Sequence, residues 1–150
     1  MTFRSHMALA LDHARAAARR DEVPVGAVLV ASDGTVLAAA GNRTRELHDP
    51  TAHAEILAIR AACAALETER LSGCDLYVTL EPCPMCAAAI SAARIRRLYF
   101  GATDPKSGGV HRGARVFDHP QCHHAPEVYD GIAAEESALL LRDFFMRRRV

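Results

Sequence analysis

One stretch constrains this chain more than any other: Thr79-Leu80-Glu81-Pro82-Cys83-Pro84-Met85-Cys86, running on through Ala87 to Ile90. It reads as the end of a strand, a proline-marked corner and the first turn of a helix. On a helix, side chains at i and i+3 share a face, so the thiols of Cys83 and Cys86 point the same way. That geometry suits two thiolates on one metal. The spacing alone is shared by redox dithiols and structural zinc knuckles. A partner lies upstream in Thr51-Ala52-His53-Ala54-Glu55, where His53 offers a third ligand and Glu55 an acid/base. Three protein ligands leave a tetrahedral zinc one open position, which marks a catalytic rather than a structural centre. Iron stays open as an alternative; thiolate and imidazole ligands favour zinc.

Bulk properties narrow the setting. At 150 residues the chain fits one domain over residues 1–150, large enough to bury a proper core. Half of it is hydrophobic, which excludes a disordered chain. The 18 Lys and Arg balance 18 Asp and Glu, so overall charge announces no nucleic acid. Such a partner must be met by a local basic patch. Five cysteines are an odd number and no secretory signal precedes them, so a reducing cytoplasmic location is expected, with thiols as ligands. No apolar run approaches the ~20 residues of a membrane span.

The periodicity predicts an α/β chain with helices on both sides of a sheet. Apolar residues at helical spacing from Phe3 to Ala18 predict a first helix ending near Arg19-Arg20. Val25–Val30 is apolar throughout, as in a strand buried on both faces. Asp33-Gly34 marks a tight hairpin, and Val36–Ala40 returns as a second strand. A helix is predicted from Thr51 to about Leu66, apolar almost all round, with capping chemistry from Asp49-Pro50-Thr51. Asp75–Leu80 is a third strand, Cys83–Ala93 a helix, and Ile95–Phe100 a fourth strand, joined as a parallel crossover. Residues 101–126 are irregular, with a weak strand or turn at Val128-Tyr129. A last helix runs from Ile132 to about Arg148.

Both ligand sets open helices, whose N-termini carry partial positive charge and free N–H groups. That favours the thiolates a zinc requires. Cys63 and Cys74 read as inert packing residues. Cys122-His123-His124 reads as a polar loop that touches substrate rather than as a second metal site. Arg147-Arg148-Arg149, with Lys106, Arg112 and Arg115, offers the phosphate-contacting chemistry that a nucleic-acid partner needs.

His53-Ala54-Glu55 followed by Pro82-Cys83-Pro84-Met85-Cys86 resembles the zinc signature of the cytidine deaminase superfamily, whose chemistry is established. Further segments are similar to the bacterial tRNA-specific adenosine deaminases: Asn42-Arg43, His48 to Ile56, Leu76 to Cys83, Gly101-Ala102 with Asp104 and Lys106, and Asp143-Phe144-Phe145 with Arg147-Arg148. The likeness covers nearly the whole chain. It implies a three-layer α/β/α sandwich on a five-stranded mixed sheet, usually a homodimer. It implies one zinc per subunit, held by His53, Cys83 and Cys86, with Glu55 as proton shuttle. The implied reaction is hydrolysis of the wobble adenosine of a tRNA anticodon stem-loop to inosine, with loss of ammonia. Asn42 would hydrogen-bond the purine ring, and the Pro82 carbonyl would accept from the exocyclic amine. Ala54, Asp104, Lys106, His124, Phe145 and Arg148 would complete the substrate-binding set. The rival is a deaminase of free nucleobases or nucleosides, of guanine or cytosine type, which would share the core and differ in the C-terminal loop and helix. A zinc-stabilised RNA-binding subunit without activity is a third reading, and it has no use for Glu55.

Overall fold

The computed structural model of the chain describes residues 4–148. Its elements, in order, are α1 (Met7–Arg19), β1 (Gly26–Val30), β2 (Val36–Gly41), α2 (Ala54–Leu66), β3 (Asp75–Leu80), α3 (Pro84–Ala92), β4 (Arg97–Ala102), a short 3-10 turn (Val116–Asp118), β5 (Glu127–Tyr129) and α4 (Ala134–Arg148). The strands form one sheet in the order β2-β1-β3-β4-β5. The pairs β1–β2 and β1–β3 are antiparallel, whereas β3–β4 and β4–β5 are parallel. The sheet is therefore five-stranded and mixed, as the resemblance implied.

Side-chain alternation along the strands builds the layers. Ala27 and Leu29 of β1, Leu76 and Val78 of β3, and Leu98 and Phe100 of β4 pack on one side with Ala54, Ala58 and Ala62 of α2 and Ile90 of α3. Val28, Val30, Tyr77 and Tyr99 face the other way, against Met7, Ala10 and Leu11 of α1 and Leu140 of α4. Buried on both faces, β1 carries the unbroken apolar run that this position demands. Gly26 lets α1 cross closely: a Cβ there would lie 1.9 Å from the Ala10 carbonyl oxygen.

The β1–β2 hairpin closes through Ala31 N–H to Thr35 O at 2.8 Å, with Gly34 at φ +92°. Because Val30 pairs with Asp75 while Ala27 pairs with Val78, this hairpin lies at the end of the sheet away from Leu80.

Several boundaries differ from the sequence expectations. Helix α2 begins at Ala54 rather than Thr51, with His53 as an extended N-cap. Asp49 Oδ1 accepts from the N–H and hydroxyl of Thr51 in a turn ahead of the helix, so Asp49 does not cap it. Nor is α2 buried all round: Ala54, Glu55, Ala58 and Ala62 form the buried stripe, and Leu66 is exposed. Strand β4 begins at Arg97, not Ile95, because Ile95 is already buried in the turn after α3. Phe3 and Arg149 lie outside the described residues. Among the described residues, no helix is long and apolar enough to cross a membrane.

Candidate active site and metal centre

Strands β3 and β4 run parallel, so their C-terminal ends open on the same side of the sheet, where α/β sheets hold ligands. The chain leaves β3 through Glu81-Pro82 and enters α3 with Cys83 as N-cap and Pro84 inside the first turn. Proline costs nothing there, since that N–H has no helical acceptor anyway. His53 is N-cap of α2 at φ −72°, ψ 154°, and Cys83 is N-cap of α3 at φ −71°, ψ 171°. Both stand on extended residues at the lips of two helices, outside the helical register.

The two caps bring three ligand atoms together. His53 Nδ1 lies 3.6 Å from Cys83 Sγ and 3.5 Å from Cys86 Sγ. One atom from each residue falls within 4.8 Å of the others. Among themselves the groups share protons unevenly. The hydrogen bond from Cys86 holds the Cys83 thiol down to about 4, with His53 adding to it. The same contact with Cys83 pushes Cys86 upward, and burial pushes it further. Hydrogen bonding to Cys83 also raises His53. A divalent cation between the sulfurs removes this competition, because both can ionise against its charge.

Glu55 is 3 % exposed, and burial raises its pKa to about 7. Its Oε1 is buried without a hydrogen-bond partner, the only carboxylate oxygen so placed among the described residues. A buried acceptor without a donor is costly. The Glu55 residue lines a cleft of about 220 Å³ together with His53, Cys83, Asn42, Thr44 and Asp104. Two sulfurs, an imidazole and a poised carboxylate fit a zinc centre with an open position.

Asn42 is the residue that joins the helix start to the cleft. Its Oδ1 accepts the Ala54 N–H at 2.8 Å, capping α2 in place of a local side chain. The backbone of Asn42 is held on both sides, by Val25 O at 3.2 Å and by Arg20 Nη2 at 3.0 Å. With its oxygen engaged, the amide offers its NH2 to the cleft. Ala54 is fully buried with its N–H committed to Asn42, so its part is to hold that side chain.

The remaining expected site residues divide by location. The Pro82 carbonyl already accepts the Gly109 N–H at 2.8 Å and keeps its second lone pair. Asp104 lines the cleft, and its Oδ1 turns back to accept the Lys106 and Ser107 N–H groups. Lys106 is exposed beside it. Phe145 is 46 % exposed, whereas Phe144 is buried. Arg148 pairs with Asp21 and sits 5.1 Å over the Phe144 ring. His124 is not brought to the cleft: its Nε2 lies 2.7 Å from the Ile95 carbonyl, ahead of the N-terminal end of β4.

Two carboxylates near the site went unread in the sequence. Glu81 is 2 % exposed and Glu22 1 % exposed; Glu81 accepts four backbone N–H groups and Glu22 two. Burial pushes Glu81 upward, but four backbone donors outweigh it and hold the carboxyl below the usual range. An acid between a buried strand and a proline was the available signal for Glu81; Glu22 had none. A larger apolar hollow of about 490 Å³ lies between α3 and residues 114–123, over Ala88, Ala92 and Val116, and holds none of the three ligands.

Residues 2–102 match the family described as the cytidine and deoxycytidylate deaminase zinc-binding region. The chain is 66 % identical over 151 residues to the tRNA-specific adenosine deaminase of Agrobacterium fabrum, covering 100 % of this chain and 99 % of that one. It is 45 % identical to the Aquifex aeolicus protein of the same name, over 94 % and 92 % of the two chains. Among solved structures, one from work on A-to-I editing by tRNA:A34 deaminases at the wobble position superposes with a TM-score of 0.90 at 68 % identity, covering 92 % of this chain and 100 % of that one. A guanine deaminase from Nitrosomonas europaea superposes at 0.81 with 26 % identity, over 96 % and 86 %. On this combination of matched region and whole-length identity, the chain belongs to the cytidine and deoxycytidylate deaminase family, in its tRNA-specific adenosine deaminase branch.

Proposed function

We propose that this protein is a zinc-dependent hydrolase that converts adenosine to inosine at the wobble position of a tRNA anticodon stem-loop. The observation that carries the reading is Glu55, which keeps one buried oxygen unpaired and lines a cleft beside the His53, Cys83 and Cys86 trio. The names of the relatives supply the substrate: the most similar of those reported above are tRNA-specific adenosine deaminases. The cleft is smaller than the ~300 Å³ lower end of pockets for drug-sized ligands, which suits one extruded base.

His53, Cys83 and Cys86 would hold a zinc, which would supply a water made acidic enough to act as nucleophile near neutral pH. Glu55 takes a proton from the attacking water and delivers it to the purine ring, then assists protonation of the departing amine. A bond forms from oxygen to C6, the C6–N bond breaks, ammonia leaves and inosine remains. The Asn42 NH2, oriented by its bond to Ala54, donates to an acceptor nitrogen of the purine. The free lone pair of the Pro82 carbonyl accepts from the exocyclic amine. Asp104, Lys106, Phe145 and Arg148 meet the surrounding nucleotides.

A stoichiometry of one zinc per subunit is supported by the single His/Cys/Cys trio among the described residues. The chain acts as a single deaminase domain and pairs as a homodimer. A reducing cytoplasm suits five cysteines that are all unpaired.

The test is incubation of the zinc-loaded protein with an adenosine-bearing anticodon stem-loop and, in parallel, with free adenine, guanine and cytosine. Inosine in the RNA is the expected result. Ammonia from the free bases alone overturns it in favour of a nucleobase deaminase. Zinc content and light scattering of the same sample read the stoichiometry and the dimer.

A further inference from the structure

The cleft has two walls made of loops rather than of regular elements, and each loop is gathered on a buried acid. On one side Glu81 Oε1 accepts the Asp104 N–H at 2.9 Å. Its Oε2 accepts three more, from Val110 at 3.1 Å, His111 at 2.8 Å and Arg112 at 2.9 Å. The loop closes so tightly that a Cβ on Gly108 would lie 2.6 Å from that same Oε2. On the other side Glu22 Oε2 accepts the Glu46 N–H at 2.8 Å, and its Oε1 accepts the Arg45 N–H at 3.1 Å and the Thr44 hydroxyl at 3.4 Å. Thr44 and Asp104 both line the cleft.

We propose that Glu81 and Glu22 are positioning residues, two buried carboxylates that hold the facing walls of the base-binding cleft by collecting the backbone N–H groups of the 104–112 and 44–46 loops. Neither is a second general base, because each of their oxygens already accepts at least one donor, whereas Glu55 keeps one oxygen free. Charge-assisted bonds to backbone N–H are the strong kind. A buried carboxylate is tolerated only when it is satisfied in this way. Each loop also carries turn bonds of its own, such as Gly108 N–H to Asp104 O at 2.9 Å, Leu47 N–H to Arg43 O at 3.0 Å and Asp49 N–H to Thr44 O at 3.0 Å, and the acids fasten these turns to the ends of β3 and α1. A cleft that is shaped before substrate arrives does not have to be ordered by it.

The inference rests on the deaminase reading for its kinetic part and on nothing but the fold for its structural part. In the wild-type holoprotein, hydrogen exchange is expected to be slow at the amides of Asp104, Val110, His111, Arg112, Arg45 and Glu46, although none lies in a strand or helix. In Glu81→Gln the amide NH2 must face at least one of the former donors whichever way it turns, and Glu22→Gln meets the same conflict. Each variant is expected to retain zinc and the slow exchange of β1 and β3, to lose protection only in its own loop, and to lose at least about tenfold in kcat/KM on the stem-loop. Most of that loss is expected in KM. Rapid exchange of these amides in the wild type overturns the proposal even if neither variant folds. Lost protection with unchanged KM and kcat overturns it too. If the wild type does not act on the stem-loop while its loops are protected, the functional reading falls and the role of the two acids in the fold stands.

Discussion

Glu55 and Glu81 are both buried carboxylates beside the same cleft, and their oxygens are employed in opposite ways. Every oxygen of Glu81 is taken by backbone donors, while Glu55 keeps Oε1 free. Glu55→Ala is therefore expected to keep zinc and fold but to lose at least ~10² in turnover, the usual scale of general acid/base catalysis; retained turnover on the stem-loop removes Glu55 from the chemistry. Asn42 carries two jobs on two ends of one amide, and Asn42→Asp separates them. The carboxylate still accepts the Ala54 N–H and suits a helix N-terminus, so the urea midpoint should move little, while loss of the NH2 donor lowers kcat/KM at least about tenfold. Equal losses in both measurements would make Asn42 only a cap. That His53, Cys83 and Cys86 come together with Glu55 beside them was legible in the sequence, because their spacing is what a metal-centred site requires. Glu81 and Glu22 were not, because what they hold is backbone, and backbone partners leave no side-chain pattern to read.

Among the elements, β3 was legible to the residue: Asp75–Leu80 combines strand-favouring side chains with a turn before it and a proline after it. The start of α2 was misread because its cap comes from Asn42, twelve positions upstream of Ala54. Local capping rules cannot reach that far. Helix α1 crosses β1 closely at Gly26. Gly26→Ala would drive a Cβ against Ala10 O at 1.9 Å and Ala14 N at 2.7 Å, both backbone atoms that cannot turn aside. The expected cost is about 1–3 kcal/mol or more, read as a lower urea midpoint. An unchanged midpoint would show that α1 shifts freely over the sheet.

At the scale of the whole molecule, metal and RNA are the two couplings to measure. A metal held by the His53, Cys83 and Cys86 trio would tie the start of α2 to that of α3, so a strong chelator should lower the Tm and added zinc restore it. A Tm indifferent to both would disconnect the trio from stability. The C-terminal helix ends in Arg147 and Arg148, and the second of these is already paired with Asp21. Reversing both charges should weaken stem-loop binding and reduce the slope of log K against log salt by up to ~2. An unreduced slope would leave them as a solvated helix end. The layer order and mixed sheet were legible from periodicity and resemblance together. Which surface residues gather at one site was not, as His124 shows: it stands ahead of β4, at the end remote from the cleft.

The hairpin at Ser32–Thr35 lies at that remote pole of the sheet as well, and a Cβ on Gly34 would touch nothing within 4 Å. This makes the tip a natural attachment point. A fluorophore or an inserted partner domain grafted there would ride on a rigid two-stranded arm, with the full length of β1 between the cargo and the reaction chamber.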